Sequence, residues 1–154
     1  LTQLERTSAS GSIAFSIFDK VFADPCHTTT GYIDPPVGPT VEDLATALGG
    51  LPTVDVTTPV DATIGGRTGK QLTITAPTVT TGCDLVSGGT FPIWELPLGS
   101  TNELRPGQVD RVWIVDVDGT RLVIDATHSL GTDAALDAEI QGILDSIRID
   151  TTRG

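Results

Sequence analysis

The residues in this chain that could do chemistry are few, and their spacing limits what that chemistry is. Two cysteines, Cys26 and Cys83, lie far apart, each in a loop rich in Pro, Gly and Thr: Asp24-Pro25-Cys26-His27 and Thr81-Gly82-Cys83-Asp84. A redox pair is ordinarily close in sequence, and a structural zinc site needs about four ligands at recognisable spacing. With two cysteines, two histidines and no CxxC in the chain, neither is expected. Two buried thiols or one long-range bond remain, and the loop settings favour a Cys26–Cys83 disulfide. A free Cys26 thiol would be activated by His27, a role that the disulfide removes.

The other candidates are weighed in the same way. His128 follows Asp125, and serines are plentiful, which allows a hydrolase with a cryptic site near His128 and Asp125. The chain has no G-x-S-x-G elbow, and no serine stands in a recognisable nucleophile setting. Asp116-Val117-Asp118-Gly119-Thr120 has the outline of a truncated calcium loop, but such a loop needs further oxygen ligands and a distant Glu. A turn explains the residues better. Gly65, Gly66 and Gly69 match no phosphate-binding fingerprint. No metal site and no cofactor are expected. Trp94-Glu95 is different in kind, an aromatic beside a carboxylate in a Gly- and Pro-rich stretch. It reads either as a contact surface, shared with Tyr32 and Arg105, or as Trp94 plugging the core edge.

The elements that must position these residues come from hydrophobic periodicity. Ser12–Phe22 reads as a strand, and the Asp24–Pro39 segment, with its prolines and glycines, as an ordered loop. Thr40-Val41-Glu42-Asp43 is a helix start, with a cap hydroxyl three residues before a carboxylate. Leu44, Ala45 and Leu48 share the inner face, and Gly49-Gly50 ends the helix. Val54–Thr57, Asp61–Ile64 and Gln71–Ala76 are strands with a Gly65-Gly66 turn. Pro77–Gly107 reads as a long irregular region holding one strand, Phe91–Leu96, and regions of this kind concentrate function.

Arg111–Val117 and Thr120–Thr127 form a hairpin closed by Asp118-Gly119. The register pairs Val117 with Thr120, Val115 with Leu122 and Trp113 with Ile124. Trp113, Val115, Leu122, Ile124 and Ala126 then share a buried face, while Asp116, Arg121, Ile114, Val123 and Asp125 share a half-wet one. Leu136, Ile140, Ile143, Leu144 and Ile147 make one helical stripe with Thr132 as cap and Asp133 and Asp137 near its positive end. That helix should pack on the buried face of the hairpin before it.

Charge narrows the partners. The 154 residues carry 20 acidic and 9 basic side chains, a net charge of −11. Phosphate recognition requires clustered Lys and Arg, so nucleic acid is excluded as a partner and anionic membrane surfaces are disfavoured. No apolar run approaches the roughly 18 residues of a membrane span. The chain has no methionine, and its first eleven residues are polar, so residues 1–11 are expected to follow a removed export signal. Residues 12–150 are read as one domain and 151–154 as a tail.

Several of these segments have a familiar look. Asp24-Pro25-Cys26, Asp34-Pro35-Pro36-Val37-Gly38-Pro39, the Thr40–Leu48 helix, GGRTGKQLTIT (Gly65–Thr75) and GQVDRVWIVDVDGTRLVIDA (Gly107–Ala126) resemble an uncharacterised group of exported or lipid-anchored actinobacterial domains. The resemblance runs from about Ser12 to Ile149 and implies export but no activity. More weakly, the order of elements is similar to the PsbP/Mog1-type α+β sandwich, and fold does not imply function.

The expectation is thus an α+β domain, a mostly antiparallel sheet of about five to seven strands with two helices packed on it. An oxidising compartment suits its disulfide, so it is expected outside the cytoplasm, secreted or tethered to the cell envelope, as a monomer. Its expected function is non-enzymatic binding of a protein, glycan or small ligand through the Tyr32–Pro39 and Phe91–Arg105 loops. The hydrolase and a structural domain of a larger envelope protein stand as alternatives.

Overall fold

Asp118 and Gly119 both adopt positive φ, 53° and 89°, the geometry a two-residue hairpin turn of matching twist requires. They join β9 (Gln108–Val117) to β10 (Thr120–Ser129). Val117 faces Thr120, Val115 faces Leu122 and Trp113 faces Ile124, which is the expected register. The computed structural model describes residues 2–5, 10–85, 89–129 and 134–149.

Other strands build outward from this hairpin. On the β10 side lies β2 (Ser10–Ser16), followed by β1 (Thr2–Glu5). On the β9 side lies β6 (Arg67–Thr75), which also pairs with β4 (Asp55–Val56) and with β5 (Val60–Ile64). The result is an antiparallel seven-stranded sheet. At Gly69 a Cβ would lie 1.9 Å from the Ile114 carbonyl oxygen, so the close approach of β6 to β9 requires glycine there.

A second sheet departs from expectation. β3 (Lys20–Val21), β7 (Phe91–Glu95) and β8 (Thr101–Leu104) form a three-stranded antiparallel sheet in the order β3-β7-β8. The supposed single strand Ser12–Phe22 breaks between Ser16 and Lys20, and its two halves serve different sheets. Its overlapping apolar residues are explained by that: Ile13 belongs to one core and Phe18 and Val21 to another. The region read as mostly irregular, Pro77–Gly107, supplies the β7–β8 hairpin.

Two helices complete the α+β fold, α1 (Val41–Gly49) and α2 (Ala134–Ser146). The Thr40 hydroxyl accepts from the Asp43 N–H, and the Asp43 carboxylate accepts from the Thr40 N–H, each at 3.0 Å. This is the expected capping box. Leu136, Ile140 and Leu144 of α2 pack with Ile13, Val115, Ile124 and Ala126 on one face of the large sheet. The proposed cap Thr132, and Asp133, lie outside the described residues.

The opposite face is not half-wet. Val112, Ile114 and Val123 are fully buried there, together with Leu72 and Ile74, under α1 and the small sheet. Residues of the two cores alternate along β9 and β10, as the pleat demands. The layers therefore run α2, seven-stranded sheet, then α1 beside the three-stranded sheet. Among the described residues no helix is long and apolar enough to cross a membrane.

Candidate functional site

The small sheet and the large one diverge near the β9–β10 turn and leave a groove of 620 Å³. Its walls are the Ile17–Lys20 turn, Val37–Pro39, Glu95–Pro97 and Gly119–Arg121. Parts of both irregular loops singled out in the sequence, Tyr32–Pro39 and Phe91–Arg105, thus meet at one depression. Pro39 and Gly119 also border a neighbouring groove lined by Glu42, Asp61, Lys70 and Asp116.

Arg121 holds the groove's walls in place. Its Nη1 donates to the carbonyls of Gly38 at 2.5 Å and Thr40 at 3.0 Å, and its Nη2 donates to the Phe18 carbonyl at 3.0 Å. Three backbone segments are joined by a single planar donor fork. Partial burial lowers the guanidinium's pKa, and the charges of Asp19 and Asp43 oppose that shift.

Three side chains cluster beside the groove. The Tyr32 hydroxyl donates to Glu95 Oε1. Lys20 Nζ lies 3.8 Å from Glu95 Oε2 and 5.6 Å from the centre of the Tyr32 ring. Tyr32 leans on Phe22, with ring centres 4.9 Å apart. An aromatic ring, an amine and a carboxylate side by side can meet a ligand that offers both apolar surface and hydrogen-bonding groups.

Trp94 is not on this surface. It is 1% exposed, and its ring stacks on Phe18 at 4.3 Å and 8°. Phe18 lines the groove, so Trp94 supports that wall from within the core. Arg105 is exposed, beyond the end of β8, and is not among the residues that line the groove. Of the four expected contact residues, the structure brings Tyr32 and Glu95 together and leaves the other two elsewhere.

Cys26 and Cys83 form a disulfide. Around it the His27 N–H donates to the Asp24 carbonyl at 3.0 Å and the Asp84 N–H to the Cys26 carbonyl at 2.9 Å. The Thr29 hydroxyl donates to Asp84 Oδ2 at 3.0 Å, while His27 Nδ1 lies 3.2 Å from Asp84 Oδ1. The Thr29 hydrogen bond, with His27 adding a smaller effect, holds the Asp84 carboxyl below its usual pKa. His27 Nε2 is 3.7 Å from Cys26 Sγ, but that sulfur is committed to the disulfide.

The alternative hydrolase pair separates. Asp125 points into the core beneath the small sheet and is 4% exposed, whereas His128, three residues on along β10, projects from the other face. Its Nδ1 lies 3.1 Å from the Ser129 carbonyl oxygen. Among the described residues no three His, Cys, Asp or Glu side chains are grouped to hold a metal ion.

A different partner for Asp125 was hidden in the sequence. Asp110 of β9 is fully buried on the same face, and Asn102 of β8 donates to both carboxyls, at 3.4 Å to each. Thr127 approaches Asp110 Oδ1 at 3.1 Å and Asp125 Oδ2 at 3.4 Å. Burial raises both carboxyls above their usual pKa, Asp110 the more strongly because the Asp125 charge adds to it. Only the alternation Asp110-Val112-Ile114 placed Asp110 on an inward face, and the expected strand began one residue too late to include it.

No family model and no curated protein matches this chain. Among solved structures, it is similar to LpqN, a protein involved in cell envelope biogenesis of Mycobacterium tuberculosis, with 14% identity and a TM-score of 0.38. The match covers 93% of this chain and 64% of that one, so the chain spans under two thirds of its neighbour's length.

Proposed function

We propose that the protein is an extracytoplasmic binding module that acts without catalysis, as a monomer, through the groove between its two sheets. The observation that carries this reading is the convergence of Val37–Pro39 and Glu95–Pro97 on one depression beside Tyr32, Lys20 and Glu95. The disulfide supports a location in an oxidising compartment, in keeping with the resemblance to exported or lipid-anchored domains. Binding is favoured over hydrolysis because Asp125 and His128 project from opposite faces of the sheet. The ligand classes that suit the groove are a small polar molecule, a glycan or a peptide of another protein.

The test is a titration of isotope-labelled protein, followed by amide correlation spectra, with three probes in turn: chito-oligosaccharide, muropeptide and a proline-rich peptide. Shifts are expected to cluster on Lys20, Gly38, Glu95, Leu96 and Arg121, and to weaken in a Lys20→Ala/Glu95→Gln double variant. Shifts confined to another surface, or no saturable shift with any probe, would overturn the reading.

A further inference from the structure

Asp110 and Asp125 are the two buried charged-type side chains among the described residues, at 0% and 4% exposure. They sit diagonally on adjacent strands of the large sheet, Asp110 opposite Thr127 and Asp125 opposite Val112, and both carboxyls take Asn102 and Thr127 as hydrogen-bond partners. Among the described residues, the groups facing them from the neighbouring strands are uncharged. β10 offers Thr127. β8 offers Asn102, while its neighbour Glu103 is exposed and accepts from Thr90 at 2.6 Å. On β2 the residues opposite Asp125 and Thr127 are Ala14 and Ser12, and on β6 the residue opposite Asp110 is Ile74. On β7 the residue opposite Asn102 is Trp94.

Two ionised carboxylates here would be adjacent like charges in a dry interface, with an amide and one hydroxyl as their donors. The Asn102 amide has two hydrogens and the Thr127 hydroxyl one, too few to satisfy four carboxylate oxygens. A proton held between the carboxyls supplies the missing donor and removes one charge. Asn102 then bridges the protonated pair to the small sheet.

We propose that Asp110 and Asp125 form a proton-held clasp between the two sheets, closed while the carboxyls share a proton and loosened when it is lost. Folded protein binds more protons than unfolded protein between the ordinary carboxyl pKa and the raised folded one. Stability therefore falls as pH rises through that window and levels off above it. Loosening acts on the β7–β8 hairpin, which carries the Glu95–Pro97 wall; that consequence for ligand binding rests on the reading of the groove, whereas the clasp does not.

The experiment reads no ligand, so its failure is distinct from failure of the groove. The carboxyl carbon-13 resonances of the wild type are titrated from about pH 3 to 9, and thermal midpoints of wild type and Asp110→Asn are followed over about pH 5 to 8. One Asp carboxyl is expected to keep its protonated shift past the pH at which the other Asp carboxyls have titrated. The wild-type midpoint is expected to drop by about 4 °C or more, and that of Asp110→Asn by less than about half as much. Every Asp titrating in the ordinary range, or parallel midpoint profiles for the two proteins, would overturn the clasp. If Asp110→Asn does not fold, the wild-type carboxyl titration decides alone.

Discussion

Arg121 shows how one side chain can organise a surface that it also lines. Its guanidinium joins the Phe18, Gly38 and Thr40 carbonyls, two of which belong to residues lining the groove. Hydrogen bonds from charged donors contribute about 1.5–3 kcal/mol each when buried, and partial exposure reduces that. Arg121→Ala is expected to lower stability by about 2 kcal/mol in urea denaturation, with Arg121→Lys recovering less than half because an ammonium lacks the planar fork. Equal stability of all three proteins would show that the carbonyls are served as well by water. Nothing in the sequence marked Arg121 for this work, because its acceptors are main-chain atoms about 80 to 100 positions away and carry no side-chain signature. Asp110 and Asn102 were hidden for a related reason. Asp110 shares its face with Val112 and Ile114, but that face reads as half-wet until a second sheet is known to cover it, and Asn102 lies on a strand, β8, with no periodic signal of its own. Trp94 was ambiguous because a large aromatic in a Pro- and Gly-rich stretch suits a core and a contact equally.

At the scale of elements, what was legible had a local cause. The Asp-Gly turn dictates register, the Thr40–Asp43 box dictates where α1 starts, and the spacing of Leu136, Ile140 and Leu144 dictates which face of α2 is buried. Each can be read within a window of about one helical or strand repeat. The break of Ser12–Phe22 and the small sheet were not legible, because β3 is two residues long and exists only through pairing with β7, more than 70 positions later. The turn offers a direct check. Gly119 has φ of 89° and its N–H donates to Asp116 Oδ1 at 2.7 Å. A Cβ there would meet no neighbour within 4 Å, so the cost of Gly119→Ala is conformational rather than steric. It should be about 1 kcal/mol, read as a lower thermal midpoint with the β9–β10 cross-strand contacts preserved. No loss of stability would mean that the turn relaxes to another type.

At the scale of the molecule, the disulfide joins parts that the large sheet leaves independent. Cys26 follows β3 and Cys83 precedes β7, the two strands that pair within the small sheet. The bond therefore limits how far those strands can separate once their hydrogen bonds open. It closes a span with a sequence separation of 57, and loss of that constraint on the unfolded chain corresponds to about 4 kcal/mol in the chain-entropy model. The large sheet has its own core with α2 and needs no such staple. A Cys26→Ser/Cys83→Ser variant should consequently lose about 4 kcal/mol in urea denaturation and show its largest gain in native-state amide exchange in Phe91–Glu95 and Thr101–Leu104. The Asp84 N–H to Cys26 carbonyl hydrogen bond and the Thr29–Asp84 pair should keep the two loops together in the folded variant, so exchange rises without collapse of the fold. A loss under about 1 kcal/mol, or a rise in exchange spread evenly over both sheets, would show that the bond constrains the whole chain no more than its neighbouring hydrogen bonds already do.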